Sequence, residues 1–148
     1  MHQNNSINQF DWKCIGTWKK SIKNTLWCLL GCSIGDFGTI LFFQLNNINW
    51  SVLAIMTLAI INGLITSIIL ETIILLKQLN FKQSLQTALG MSFISMISME
   101  ISMNLIDLII VGKAYLNIRV IPIMLLAGFL TPLPYNYWRL KKYNISCH

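Results

Sequence analysis

The chain has 148 residues, of which 55% are hydrophobic and only 11% charged. Soluble domains carry charge at about 25% of positions, so this composition excludes an ordinary soluble enzyme, and the length leaves no room for a separate catalytic domain beside a membrane part. The net charge of +6 is not a nucleic-acid footprint, because the basic residues flank apolar stretches instead of lining one polar face.

Residues 1–24 are polar and basic. Trp12, Ile15, Trp18 and Ile22 share one helical face with lysines elsewhere, which predicts a short amphipathic segment on the inner leaflet or, equally, a loose basic tail. The first apolar stretch, 25–45, is too long for a secretory leader and carries Asp36 at its middle, so it reads as a retained span. The second, 50–76, is interrupted mainly by Asn62 and Glu71, and the third, 87–111, carries Glu100, Asn104 and Asp107. The fourth, 120–138, opens with Pro122, where a helix tolerates proline, and closes through Pro132 and Pro134. Each approaches the roughly 20 residues that a hydrocarbon core requires.

Backbone polar groups in lipid are satisfied only in helices or closed barrels, and these stretches lack the alternation of barrel strands. The predicted fold is therefore all-α: an integral membrane, antiparallel four-helix bundle over residues 25–148. Lys13, Lys19, Lys20, Lys23, Lys77, Lys82, Arg139, Lys141 and Lys142 fall on one side of it, and only Lys113 and Arg119 on the other. An excess of nine basic residues to two puts both termini on the cytoplasmic side. Tyr135, Tyr137, Trp138 and Tyr143 then fall at the inner interface, where aromatic belts form.

On the first span, Cys28, Cys32 and Asp36 succeed one another at intervals of four and so share a helical face. The third span offers Met96, Glu100, Met103 and Asp107 at intervals of four, three and four, with Met99 alongside. Acids at membrane depth cost at least a few kcal/mol when ionised and face inward. Two thiols, several thioethers and carboxylates in one interior suit a soft ion such as copper(I). The predicted metal set is Cys28, Cys32, Met96, Met99, Asp36 and Glu100, with Glu71 and Asp107 balancing charge or relaying protons. The bland alternative is packing by sulfur and hydrogen bonding of the acids to Asn62, Asn104 or hydroxyls. Cys14 and Cys147 belong to the predicted cytoplasmic ends, where thiols stay reduced, and Cys147 with His148 reads as a solvated end. Gly31 and Gly35 form a small-residue pair for close helix approach, with Gly63, Ser67, Gly90 and Gly128 available for the same purpose.

The stretch Cys28-Leu-Leu-Gly-Cys-Ser-Ile-Gly-Asp36, the stretch Ser95-Met-Ile-Ser-Met-Glu100 with Asn104 and Asp107, and the ending Pro132-Leu-Pro-Tyr-Asn-Tyr-Trp-Arg139 together resemble the domain of unknown function 4396 family. The resemblance covers nearly the whole chain and implies a small bacterial or archaeal cytoplasmic-membrane protein with this arrangement of helices. It implies no activity, and no motif names a reaction, so an enzyme is not expected. The leading expectation is binding or transport of a metal ion. The alternatives are a cation- or proton-coupled carrier of a small solute, which predicts a homo-oligomer, and a scaffold whose acids pair with a membrane partner. Thiol redox ranks last, since the paired cysteines sit inside the bundle instead of at an exposed site.

Overall fold

In a computed structural model of the protein, residues 12–142 are described. The expectations for Tyr143, Cys147 and His148 lie outside the described residues. Six helices follow one another: α1 (Ile15–Leu45), α2 (Val52–Leu75), α3 (Phe81–Met91), α4 (Phe93–Val111), α5 (Ile121–Leu130) and α6 (Leu133–Lys142). There is no strand among the described residues. Three helices, α1, α2 and α4, are long and apolar enough to cross a membrane, with 31, 24 and 19 residues.

The all-α prediction holds, and three of its boundaries change. Residues 15–24 are not a separate surface segment, because α1 continues through them without a break. Thr17, Ser21 and Thr25 extend the buried stripe of Cys28, Cys32, Asp36, Thr39 and Phe43, so one inward face at helical spacing runs the full length of α1. The proposed aromatic and aliphatic face is divided. Ile15 and Ile22 are exposed, whereas Trp12 and Trp18 gather on Tyr137 of α6, with ring centroids 5.0 and 4.3 Å away.

The third stretch, expected as one span over 87–111, breaks at Ser92 into α3 and α4. The fourth, expected over 120–138, breaks at Thr131 and Pro132 into two helices of ten residues. Proline has no N–H to continue the ladder. Thr131 closes α5 on Ala127 O at 3.1 Å, and Asn136 opens the bonding of α6 on Pro132 O at 2.9 Å. Each half is about 15 Å long, so neither crosses a hydrocarbon core alone.

Helices α1 and α2 pack antiparallel at very close range, because small residues remove the side chains that would separate them. A β-carbon on Gly31 would lie 2.7 Å from Ser67 Cα, and one on Gly35 would overlap Asn62 O and Thr66 Oγ1. Polar bonds cross the same contact: Thr66 Oγ1 donates to Gly31 O at 2.6 Å and Asn62 Nδ2 to Thr39 Oγ1 at 2.8 Å.

Contacts of α6 bring the chain back to where α1 begins. Ser21 Oγ donates to Leu133 O at 3.2 Å and Asn136 Nδ2 to Thr25 Oγ1 at 2.8 Å. At the opposite end, Leu116 N donates to Gln44 Oε1 at 3.0 Å. Leu26, Leu30, Ile34, Ile61, Ile65, Ile69, Ile101 and Leu105 point outward, while Thr25, Asp36, Glu100, Asn104 and Asp107 are buried. Aliphatic groups outside and polar groups inside invert the order of a soluble domain, as a hydrocarbon solvent requires.

Candidate functional site in the α1–α4 seam

The inward faces of α1 and α4 run side by side and in parallel, and their chemistry changes along the bundle. Toward the end where α1 begins, the seam is sulfur. Cys28, Cys32, Met96, Met99, Met103 and Met124 belong to one buried cluster drawn from α1, α4 and α5. Cys32 and all four methionines are fully buried. Cys28 and Cys32 are free thiols and neighbours, and Cys28 Sγ lies 3.6 Å from Ser67 Oγ of α2.

One turn further the seam is oxygen. Asn104 Nδ2 donates to Asp36 Oδ1 at 3.0 Å and to the Glu100 carbonyl at 3.0 Å. Both acids are fully buried. Glu100 neighbours Cys32, so the oxygen and sulfur parts adjoin. Its carboxyl lies in a notch of α2, since a β-carbon on Gly63 would overlap Glu100 Oε1 and come 3.0 Å from Cys32 O. Four oxygens here receive no hydrogen bond from nitrogen or oxygen: Asp36 Oδ2, Asn104 Oδ1 and both oxygens of Glu100, beside which only the weak Cys32 thiol donor lies. Buried acceptors without donors are uncommon in native proteins.

Asp107 continues the line toward the far end, where Tyr115 N donates to Oδ2 at 3.3 Å. Tyr115 also lines a cleft of about 310 Å³ with Gln44, Asn47, Trp50 and Lys113. Glu71 is elsewhere. It accepts from Ser92 Oγ, which in turn accepts from Arg139 Nη1 at 3.2 Å. The α3–α4 break thus supplies a hydroxyl that joins α2 to α6.

The structure therefore brings Cys28, Cys32, Met96, Met99, Asp36 and Glu100 into one seam, keeps Asp107 in line with them, and bonds Glu71 to Ser92, still near enough to Cys28 to act on it electrostatically. Among the described residues, no three His, Cys, Asp or Glu side chains form a group able to hold a metal ion, so a soft ion here needs methionine in its shell. Three participants escape a reading of charge and spacing alone. Met124 lies in the fourth stretch, which carries no thiol or acid, Ser92 in the middle of an apolar stretch, and Arg139 among the flanking bases. The only signal for Ser92 is its polarity within that stretch.

Three long apolar helices with thiols and acids on their inward faces define an all-α, multi-pass membrane protein. The chain belongs to the family described as domain of unknown function (DUF4396), which matches residues 17–144 and so takes in the entire seam. Comparison with curated proteins and with solved structures gives no match.

Proposed function

We propose that this protein binds, and carries through the membrane, a soft metal ion of copper(I) type, held by Cys28 and Cys32 with Met96 and Met99. The observation that carries this reading is the single buried cluster containing those four residues together with Met103 and Met124. Thiol and thioether sulfur select copper(I) over hard cations. Glu100, beside Cys32, would compensate the ion's charge, and Asp36 and Asp107 would extend that compensation along the seam.

The topology that suits this role has four crossings, the fourth made by α5 and α6 together, with both termini cytoplasmic. Its support is the excess of basic residues on one side and the return of α6 to the start of α1. A bacterial or archaeal cytoplasmic membrane fits the family resemblance.

The test is anaerobic titration of detergent-purified protein with silver(I), a redox-inert stand-in for copper(I), against a chromogenic competitor. The parent should take up the ion stoichiometrically, and Cys28→Ser combined with Cys32→Ser should weaken uptake by roughly 10- to 100-fold or more, the scale of a perturbed metal shell. Equal uptake by parent and double variant would exclude the assignment.

A further inference from the structure

The oxygen part of the seam has unmet acceptors that charge compensation at the sulfur cluster does not account for. Its unsatisfied atoms are all acceptors: Asp36 Oδ2, Asn104 Oδ1, Glu100 Oε1 and Glu100 Oε2. Asp36 and Glu100 have no exposure, and Asn104 is 4% exposed, so bulk water does not serve them. The Asn104 amide cannot be turned to relieve the shortage. Its nitrogen already donates to two acceptors, Asp36 Oδ1 and the Glu100 carbonyl, and exchanging the two ends of the amide would set oxygen against oxygen at both.

Among the described residues, no cationic side chain makes up the deficit. Arg139 binds Ser92 at one end of the bundle, and Lys113 lies over the Tyr115 ring at the other, 4.6 Å from its centroid. The cradle is completed by Gly63, which leaves the space that Glu100 fills.

We propose that Asp36, Asn104 and Glu100 form a second site in the seam, for a hard monovalent cation of sodium type. Carboxylate and amide oxygens favour hard cations over the soft ion next door. Calcium takes 6–8 oxygen ligands, and magnesium keeps several waters; four orphan oxygens in a closed interior suit neither. A neutral amide oxygen that has no donor is met by a metal cation at the same time as the two carboxylates. The oxygen ligands are not the sulfur ligands: although Glu100 and Asp36 also balance charge in the proposed sulfur site, loss of silver(I) uptake through the thiols and loss of sodium binding through the oxygens are separate outcomes. If both hold, the ion in the oxygen site lies one helical turn from the soft metal on α1, and the two cations repel or exchange along one seam.

The experiment is equilibrium binding of radioactive sodium to purified protein in potassium-free choline buffer. The parent should bind sodium saturably and release it to excess unlabelled sodium or lithium, but not to choline. Asp36→Asn and Glu100→Gln should each weaken binding about tenfold or more, while Cys28→Ser with Cys32→Ser should leave it intact.

A second measurement needs no variant. Sodium, and not choline, should protect Glu100 or Asp36 from a hydrophobic carbodiimide, read by peptide mass spectrometry. Absence of saturable sodium binding by the parent would overturn the site and leave a proton as the occupant of the carboxylates. Unchanged sodium binding in folded Asp36→Asn and Glu100→Gln proteins, or carbodiimide labelling indifferent to sodium, would overturn it equally. None of these readouts depends on silver(I) uptake.

Discussion

The Glu100 carboxyl of α4 occupies the space that a β-carbon on Gly63 of α2 would fill. A glycine at this position thus does more than let two helices approach: it makes room for a carboxyl group from a third helix. Gly63→Ala is expected to displace the carboxyl and to destabilise the protein by about 1–3 kcal/mol, the usual cost of overpacking. Thermal unfolding in mild detergent measures it, and a melting temperature equal to the parent's would contradict the notch.

Gly35 and Gly38 are three residues apart and have opposite surroundings. A β-carbon on Gly35 would overlap Asn62 O and Thr66 Oγ1, whereas one on Gly38 would meet nothing within 4 Å. Gly35→Ala should therefore force α1 from α2 and lower stability by at least about 1 kcal/mol. Gly38→Ala should be neutral or stabilising by up to about 1 kcal/mol, because alanine is the better helix former. Paired unfolding measurements in one detergent decide the matter, and equal effects at both positions would refute this account of the crossing.

Asn104 supplies the Asp36 carboxylate with its hydrogen bond. Asn104→Leu keeps the volume and removes the donor, which should cost about 1–3 kcal/mol for the buried oxygen left behind. Combining it with Asp36→Asn should recover part of that loss, since a neutral amide is less costly to strand than a carboxylate. A strictly additive double-mutant cycle would show that the two side chains do not interact.

Arg139, Ser92 and Glu71 join α6, the α3–α4 break and α2. Arg139→Met should be among the more damaging substitutions, at about 1–3 kcal/mol, because it removes the donor to Ser92 Oγ and leaves the half-buried Glu71 carboxyl without the nearby cation. Glu71→Gln in the same chain should restore much of the loss. Unfolding and expression level of the three variants provide the check; a double variant no better than Arg139→Met would argue that Arg139 acts without Glu71.

The sulfur and acid faces were legible because both elements are regular helices there. Cys28, Cys32 and Asp36 at intervals of four, and Met96, Glu100, Met103 and Asp107 at four, three and four, must each lie on one side of a helix. Depth placed Glu71 near them, and it is close enough to Cys28 to act on it electrostatically, but depth did not reveal its hydrogen-bond partner. Glu71 sits near the end of α2, and the break at Ser92 turns a hydroxyl toward it. Gly90 and Ser92 weaken the helix locally, but they do not by themselves place a break in an otherwise apolar, helix-compatible stretch.

By itself the sequence determined the solvent and the local periodicity: apolar stretches of bilayer length, charge confined to their flanks, and inward faces set by 3.6 residues per turn. These depend on composition and on contacts between residues near in the chain. The tertiary structure alone decided which faces meet. It split the third and fourth stretches, carried Met124 into the cluster with Cys28 and Cys32, placed Glu100 in the notch at Gly63, and left four acceptor oxygens of Asp36, Asn104 and Glu100 without nitrogen or oxygen donors. Those outcomes depend on groups as far apart in the chain as Asp36 and Asn104, separated by 68 positions, and such partnerships are chosen by packing and polar satisfaction between helices, which no local pattern encodes.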